Sequence, residues 1–366
     1  MSTIDFTALA TLIKQWGGEL GFQQTGIADL DIAEHSAHLQ DWLSQQYHGE
    51  MEYMERHASL RADPQALVPG TLRVISLRMD YLPEDTRMVQ VLQNPEQAYV
   101  SRYALGRDYH KLIRRRIQQL ADQIQQHIGK FGYRAFVDSA PVLERAFAEK
   151  AGLGWIGKNT MLINKKAGSW FFLGELFTDL PLPVDTKAEF HCGTCTACLD
   201  ICPTGAFVGP QVLDARKCIS YLTIELRTAI PVALRPLIGN RVFGCDDCQL
   251  CCPWNKFSAP TPEQDFTPRH RLDRAELVEL FNWSEEEFLR YTEGSPIRRI
   301  GYECWLRNLA VALGNAPGSP AVVAALVSRA GFPSELVQEH VAWALERHLQ
   351  DAGATSLPQS ARPLPP

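Results

Sequence analysis

Nine of the ten cysteines lie between Cys192 and Cys252. The first run is Cys192-Gly-Thr-Cys195-Thr-Ala-Cys198-Leu-Asp-Ile-Cys202-Pro203. In a Cys-x2-Cys-x2-Cys-x3-Cys-Pro run, three closely spaced thiolates hold one 4Fe–4S cube and the fourth reaches a second cube. A second set follows: Cys218, then Cys245-Asp-Asp-Cys248-Gln-Leu-Cys251-Cys252-Pro253. Cys245, Cys248 and Cys252-Pro253 repeat the last three positions of the first run, with Cys218 as the displaced first. The crossover rule then gives Cys192, Cys195, Cys198 and Cys252 to cube one, and Cys202, Cys218, Cys245 and Cys248 to cube two. Cys251 is left over, and Cys304 lies outside the stretch.

Zinc is the competing reading, since Cys-x2-Cys pairs also build zinc knuckles. A zinc site needs only four thiolates and does not call for Cys-Pro after a third spacing, twice over. A disulfide framework fits poorly, because these spacings suit metal ligation and nothing marks the chain as secreted. The run is that of bacterial-type ferredoxins. Two cubes form a wire passing one electron at a time. A plain ferredoxin needs only the cluster stretch, so the wire is expected to feed a redox centre in the residues before it.

The elements that must position this stretch follow from pattern. A chain of 366 residues has room for two or three domains. The formal net charge of -6 gives no global nucleic-acid signal, so any basic surface must be local. No basic leader and no apolar run of ~18 residues is present, so neither export nor a membrane span is expected, and the cytoplasm is the expected location. Helical spacing covers residues 5–20 and, rich in Tyr, Trp and Met, residues 35–60. Strands are expected at 23–28 and 74–81, a loop at 84–98, a long helix at 108–130, and a strand at 131–138 ending in Asp138. A helix through Lys150 follows. Residues 160–164 and 169–177 read as a hairpin around Lys165–Gly168. Gly152, Gly154 and Gly157 match a dinucleotide spacing, but a helix precedes and a strand follows, so the context fails. They still permit close backbone approach to a flat ligand.

The expected architecture is α+β and multidomain. Residues 1–180 form an α/β domain, 181–257 a ferredoxin-like domain with two clusters, and 258–351 a helical, HEAT-like region. Residues 352–366 read as a disordered tail.

Five stretches carry a resemblance: Ser101–His110, Val137–Arg145, Ala148–Trp155, Cys218–Thr223 and Gly239–Cys248. Most of the chain resembles the epoxyqueuosine reductases, the last enzymes of queuosine biosynthesis. The resemblance implies a cobalamin in the N-terminal domain, two 4Fe–4S clusters beside it, and a C-terminal part gripping tRNA. The implied reaction removes the epoxide oxygen of epoxyqueuosine at the wobble position. Asp138 matches the family's proton donor; by its residues alone it reads as a helix N-cap after a strand. The same resemblance places Arg61, Arg102, Asp138, Asn159, Ser169, Phe172, Ser220 and Asp246 near the corrin. No Asp-x-His-x-x-Gly motif occurs, which suggests a cobalt without a protein histidine. Arg298 and Arg299, with Trp305 and Arg307, supply basic charge beside an aromatic, as RNA contacts would; a solvated helix face is the plain alternative.

Two rivals remain from sequence: a reductive dehalogenase-like enzyme acting on a small molecule, and a non-catalytic electron-transfer module. A monomer with an unidentified electron donor is expected.

Overall fold

The computed structural model describes residues 4–85 and 87–355. The chain folds as two compact units assembled from interleaved segments. One comprises Met1–Thr86, Arg102–Cys218 and Asp246–Pro268; the other Arg87–Ser101, Ile219–Cys245 and Arg269–Pro366.

The first unit is built on a four-stranded sheet. Its strands are β1 (Gln24–Ala28), β2 (Arg73–Asp80), β3 (Tyr133–Phe136) and β4 (Phe171–Thr178), in the order β1-β2-β4-β3. Every pairing is antiparallel, so the helices cover the sheet without parallel crossovers. Helix α1 (Phe6–Glu19) begins where the Asp5 carboxylate accepts from the amides of Thr7 and Ala8, at 2.9 and 3.1 Å. It ends before Gly21, whose φ of 87° suits glycine. Helix α2 (Ala33–Ser44) stops short of the long helix expected over 35–60, because the chain turns at Gln46 with φ 55°. Short helices Glu52–Arg56 and Ala58–Ala62 complete the segment.

Asp108 caps helix α3 (Tyr109–Ile128), which buries Leu112, Ile113, Ile117, Leu120 and Ile124. A side chain at Gly174 of β4 would come within 2.7 Å of Ile117 and 2.8 Å of Ile113, so α3 lies directly on that face. The opposite face of the sheet carries α4 (Glu144–Lys150), with Ala146 and Phe147 packed among Val74, Phe136, Phe171 and Phe177. Each such fully buried aliphatic or aromatic side chain contributes roughly 1.5–3 kcal/mol.

Of the expected hairpin of 160–164 with 169–177 only the turn closes, where Asn164 and Gly168 form an antiparallel bridge. Leu162–Ile163 pairs with Trp155–Ile156, while β4 crosses to β2 and β3. A side chain at Gly154 would lie 2.3 Å from the Ile163 carbonyl oxygen. This glycine therefore serves strand approach rather than approach to a ligand.

The second unit centres on α5 (Gly301–Asn315) packed against α6 (Glu335–Thr355). Helix α6 runs into the stretch expected to be disordered; residues 356–366 lie outside the described residues. A further helix, Met88–Gln93, occupies the expected loop at 84–98. Buried polar side chains stitch these segments together. The Asn240 amide donates to the carbonyls of Val91, Asn94 and Gln97 at 2.7, 3.0 and 2.9 Å. Asn308 donates to those of Thr223 and Val242 at 2.8 and 2.9 Å.

His340 is fully buried on α6. Nδ1 is 2.7 Å from the Leu336 carbonyl, and Nε2 accepts the Ile230 amide at 3.1 Å. Both ring nitrogens are satisfied only in the neutral form. Burial holds the imidazole down from 6.5 to about 4. As pH falls, the unfolded chain takes up this proton first, so stability is lost between about 6.5 and about 4. Thermal unfolding of His340→Gln is expected to lack that part of the acid-side slope; an unchanged slope would show that other groups set it.

Candidate active site and cluster ligands

Asp138 lies two residues beyond β3, with φ 54°, in the left-handed region that non-glycine residues seldom occupy. It is not a helix cap: α4 starts six residues later, after Leu143. The Asp138 amide donates to the Glu144 carboxylate. Its own carboxyl is 54% exposed and receives two side chains from the start of α3. Tyr109 donates its hydroxyl to Oδ2 at 2.7 Å, and His110 Nε2 stands 3.1 Å from the same oxygen. His110 Nδ1 lies 2.7 Å from Asp108, the residue that caps α3. With Nδ1–H given to Asp108, Nε2 is directed at Asp138. The Tyr109 ring stacks on Phe172 at 3.9 Å. Burial, then the Asp138 charge, holds the Tyr109 hydroxyl well above its ordinary range, so it stays a donor.

Asp138 and Glu144 border a cavity of about 390 Å3. Leu39, Trp42, Met54 and Val142 give it apolar wall; Arg61, His38, Thr160 and Gln211 give it polar rim. Arg61 is buried and donates to the Tyr53 carbonyl at 3.1 Å. Arg102 is buried as well, and its amide donates to the buried Asp246 carboxylate at 2.9 Å. The Asn159 amide donates to the Cys248 carbonyl at 3.0 Å. The Ser169 hydroxyl receives the side-chain amides of Asn255 and Gln249 at 3.1 and 3.2 Å. Ser220 is half-buried on the short helix Ile219–Ile224 of the other unit.

Cys192, Cys195, Cys198 and Cys252 line one small cavity of about 30 Å3, with Trp254 and Ile163. That is the set given by the crossover rule for cube one. Four cysteines brought to one place from two segments are what a ligand set for a cube requires. Burial pushes the Cys198 thiol up to about 11, with Cys192 and Cys252 adding to it. Burial also raises Cys248 well above its usual value, with Cys218 the first of its charged neighbours. Such mutual repulsion is what bound iron relieves. Lys158 donates to the carbonyls of Gly193 and Cys195 at 2.7 and 2.9 Å, and the Trp155 indole to Cys192 Sγ at 3.4 Å. Among the described residues, which include all ten cysteines, no disulfide is formed.

Arg298 and Arg299 are exposed in the second unit. Arg307 is not available to RNA, and that expectation fails: the residue is fully buried. It donates to the carbonyls of Leu222, Leu226 and Thr228, each at 2.8 Å. Trp305 is buried too and cannot serve as a stacking platform. Sequence reasoning missed Tyr109, His110, Glu144 and Glu175. The signal for Glu175 was available: in Phe171-Phe-Leu-Gly-Glu175-Leu-Phe177 a carboxylate shares the apolar face of a strand.

A family model described as epoxyqueuosine reductase QueG, DUF1730 matches residues 61–139, and one described as a 4Fe-4S double cluster binding domain matches residues 191–255. The chain is 71% identical over 349 residues to an epoxyqueuosine reductase of Pseudomonas aeruginosa, covering 95% of this chain and 97% of that one. It belongs to the epoxyqueuosine reductase family. The Escherichia coli K12 epoxyqueuosine reductase is 60% identical over 351 residues, covering 96% of this chain and 92% of that one. Among solved structures, an epoxyqueuosine reductase crystallised with a tRNA-Tyr epoxyqueuosine-modified stem loop matches with a TM-score of 0.85 at 26% identity, covering 97% of this chain and 96% of that chain. A Bacillus subtilis epoxyqueuosine reductase, solved with its catalytic aspartate loop swung out of the active site, matches equally well at 0.85. Epoxyqueuosine reductases are oxidoreductases, so neither a bare electron-transfer module nor a dehalogenase-like enzyme is favoured.

Two outcomes follow for this epoxyqueuosine reductase family member. Anaerobic Cys252→Ser protein should fall from about eight irons to about four per chain, whereas Cys304→Ala should keep about eight. Full iron in Cys252→Ser would break the ligand assignment. Arg307→Ala should cost at least about 2 kcal/mol of stability from its unpaired buried carbonyls, read as a lower thermal midpoint.

Proposed function

We propose that this chain removes the epoxide oxygen from epoxyqueuosine at the wobble position of tRNA, and that Asp138 is the acid that protonates the departing oxygen. The observation that carries the reading is the Asp138 carboxyl at the rim of the cavity, held in left-handed backbone by Tyr109, His110 and Glu144. Losing the oxygen breaks two C–O bonds, forms a C=C bond and releases water. The balance needs two electrons and two protons. An alkoxide leaves poorly from carbon unless it is protonated as it departs. Tyr109 and His110 meet the same Asp138 oxygen, so they fix the orientation of the carboxyl.

We propose that the electrons pass one at a time through the two cubes. Cube one is held by Cys192, Cys195, Cys198 and Cys252, and cube two by Cys202, Cys218, Cys245 and Cys248. Their acceptor is a cobalamin held in the first unit. Of the residues assigned to it, Arg61 and Asp138 line the cavity, where an apolar wall of Leu39, Trp42 and Met54 would suit a flat macrocycle and Arg61, His38 and Gln211 its amide and phosphate periphery. Arg61, Arg102, Asn159, Ser169, Phe172, Ser220 and Asp246 are the residues the family resemblance assigns to it. Asn159 and Ser169 already engage Cys248, Gln249 and Asn255, so they shape a wall shared with the cluster segment. When bound, the cobalamin supplies a strongly reducing cobalt centre.

Residues 258–351 are read as the HEAT-like part that grips tRNA, with Arg298 and Arg299 at its surface. We take the protein to be a monomer served by a separate electron donor. Among the described residues no helix is long and apolar enough to cross a membrane.

Asp138→Asn retains size and can still accept from Tyr109, but cannot deliver a proton. Its single-turnover conversion of epoxyqueuosine-containing tRNA, with a chemical reductant, should fall by about a hundredfold or more, with clusters and tRNA affinity intact. A wild-type rate would assign the proton elsewhere. Arg298→Glu with Arg299→Glu should weaken tRNA binding by about tenfold or more and flatten its salt dependence, with both cubes retained. Unchanged affinity would move the RNA surface away from these arginines.

A further inference from the structure

A second cavity, of about 590 Å3, lies in the first unit and shares no lining residue with the one beside Asp138. The short strand Trp155–Ile156 divides them: Ile156 lines the active-site cavity and Trp155 this one, as alternation along a strand requires. The charged wall is mostly cationic, with Arg78, Lys165, Lys166 and Lys187 against the single carboxylate of Glu189. Two of these cations are already engaged, Arg78 with Asp80 at 3.1 Å and Lys187 with Glu149 at 3.0 Å. Lys165 and Lys166 are exposed, and among the described residues neither ammonium has an ion-pair partner. Their turn is held firmly. The Asn164 amide donates to the Gly168 carbonyl at 2.7 Å, and Asn164 Oδ1 accepts the Lys166 amide at 2.8 Å. On a chain of net charge -6, so local a concentration of positive charge selects an anionic partner.

The floor of this cavity touches the ligand set of cube one. Trp155 lines it and donates its indole N–H to Cys192 Sγ at 3.4 Å. His191 lines it too, directly before Cys192, with its ring 5.0 Å from that of Trp155. Between the lining residues Glu189 and His191, Phe190 is 51% exposed, so an apolar ring stands among the cations. Cys195 of cube one is exposed as well. The cube-two ligand Cys248 belongs to the inner side. Its neighbour Gln249 donates to the Ser169 carbonyl at 3.0 Å, three residues before the Phe172 ring that stacks on Tyr109. Cube one is therefore the outer cube. A free phosphate would use the cations alone, whereas a protein surface uses the cations, the apolar ring and the nearby cube. Resting on the reading of the two cubes as the electron path, we propose that this cavity docks an acidic one-electron carrier protein, its carboxylates against Lys165 and Lys166 and its redox group toward Trp155. At each encounter the carrier loses one electron and cube one gains it. No bond or proton moves, and two encounters supply the two electrons that the reaction needs. The lysines speed the encounter rather than hold a lasting complex, as suits a carrier that must leave after each electron.

The test uses anaerobic, cluster-loaded protein and two reductants: reduced flavodoxin, an acidic carrier protein, and reduced methyl viologen, a small cation that needs no docking face. Cube reduction is followed by rapid-freeze electron paramagnetic resonance, without tRNA. Lys165→Glu with Lys166→Glu should slow reduction by flavodoxin about tenfold at low salt, and the difference should close as salt rises. Reduction by methyl viologen should not slow. Lys165→Gln with Lys166→Gln should act in the same direction by less. The same reversal at Arg114 and Arg115, exposed on α3, should leave the flavodoxin rate unchanged. A wild-type flavodoxin rate in the Lys165→Glu, Lys166→Glu protein overturns the proposal. So do wild-type cubes that take electrons from methyl viologen but not from flavodoxin. Weakened tRNA binding in the lysine variant with an unchanged flavodoxin rate would give this face to RNA and overturn it too. A chain whose iron is reduced by neither reagent would instead defeat the reading of the cubes as an electron path.

Discussion

Asn255 fastens the cluster segment to the sheet, and the first unit depends on that junction. Its Oδ1 accepts the Ser169 amide at 2.6 Å, while its Nδ2 donates to the Gln249 carbonyl at 2.6 Å and the Ser169 hydroxyl at 3.1 Å. Gly168 makes the approach possible, because a side chain there would lie 2.0 Å from Oδ1. Ser169 leads directly into β4. The strand that presents Phe172 to Tyr109 and Glu175 to Glu144 is thereby tied to the loop between Cys248 and Cys252. Asn159 adds a second tie at the Cys248 carbonyl. Hydrogen bonds to backbone fix position better than contacts between long flexible side chains, and transfer between redox centres depends on fixed distances.

Much of this was legible in the sequence where the signal is local. Cysteine spacing alone placed Cys192, Cys195, Cys198 and Cys252 together, because cluster geometry admits few spacings. Helices α1 and α3 and strands β1 and β2 followed from periodicity. The pairing of β4 did not, since strand partners are chosen by long-range packing rather than by the turn that happens to lie between two apolar runs. The surroundings of Asp138 were hidden for the same reason. Tyr109 with His110, Glu144 and Glu175 come from three separate segments, α3, α4 and β4, and the antiparallel order β2-β4-β3 brings them to one loop.

Charge was the least reliable guide. Arg307 reads as part of a basic patch, yet it is fully enclosed on α5, holding the chain turn after Leu222 by its carbonyls. An arginine with five donors can satisfy several backbone oxygens at once, which is why it is the residue found where a helix must hold an irregular segment. Sequence gives the charge of a side chain but not which side of the helix carries it inward. Arg298 and Arg299, one short 3-10 turn earlier, stay outside because the buried members of that turn are Pro296, Ile297 and Ile300.

A fold normally pairs or hydrogen-bonds what it buries, and exceptions gather where chemistry is done. Around Asp138 three exceptions coincide: left-handed backbone on a non-glycine residue, a carboxyl facing the solvent cavity, and a second carboxyl fully enclosed behind Glu144. Each alone lowers stability. Leucine in place of Glu175 would complete the apolar face of Phe171, Leu173 and Phe177, and helical capping in place of the Asp138 turn would relieve the backbone. Neither cost is repaid by packing within the sheet. The costs make sense together at a reactive site, where Tyr109 and His110 fix one carboxyl oxygen of Asp138 at the rim of the cavity. The same face carries a buried arginine as well: Arg78 of β2 lies across from Leu173 and over the Phe171 ring at 5.5 Å, so the layer under α4 admits polar groups of both kinds close to the loop of Asp138.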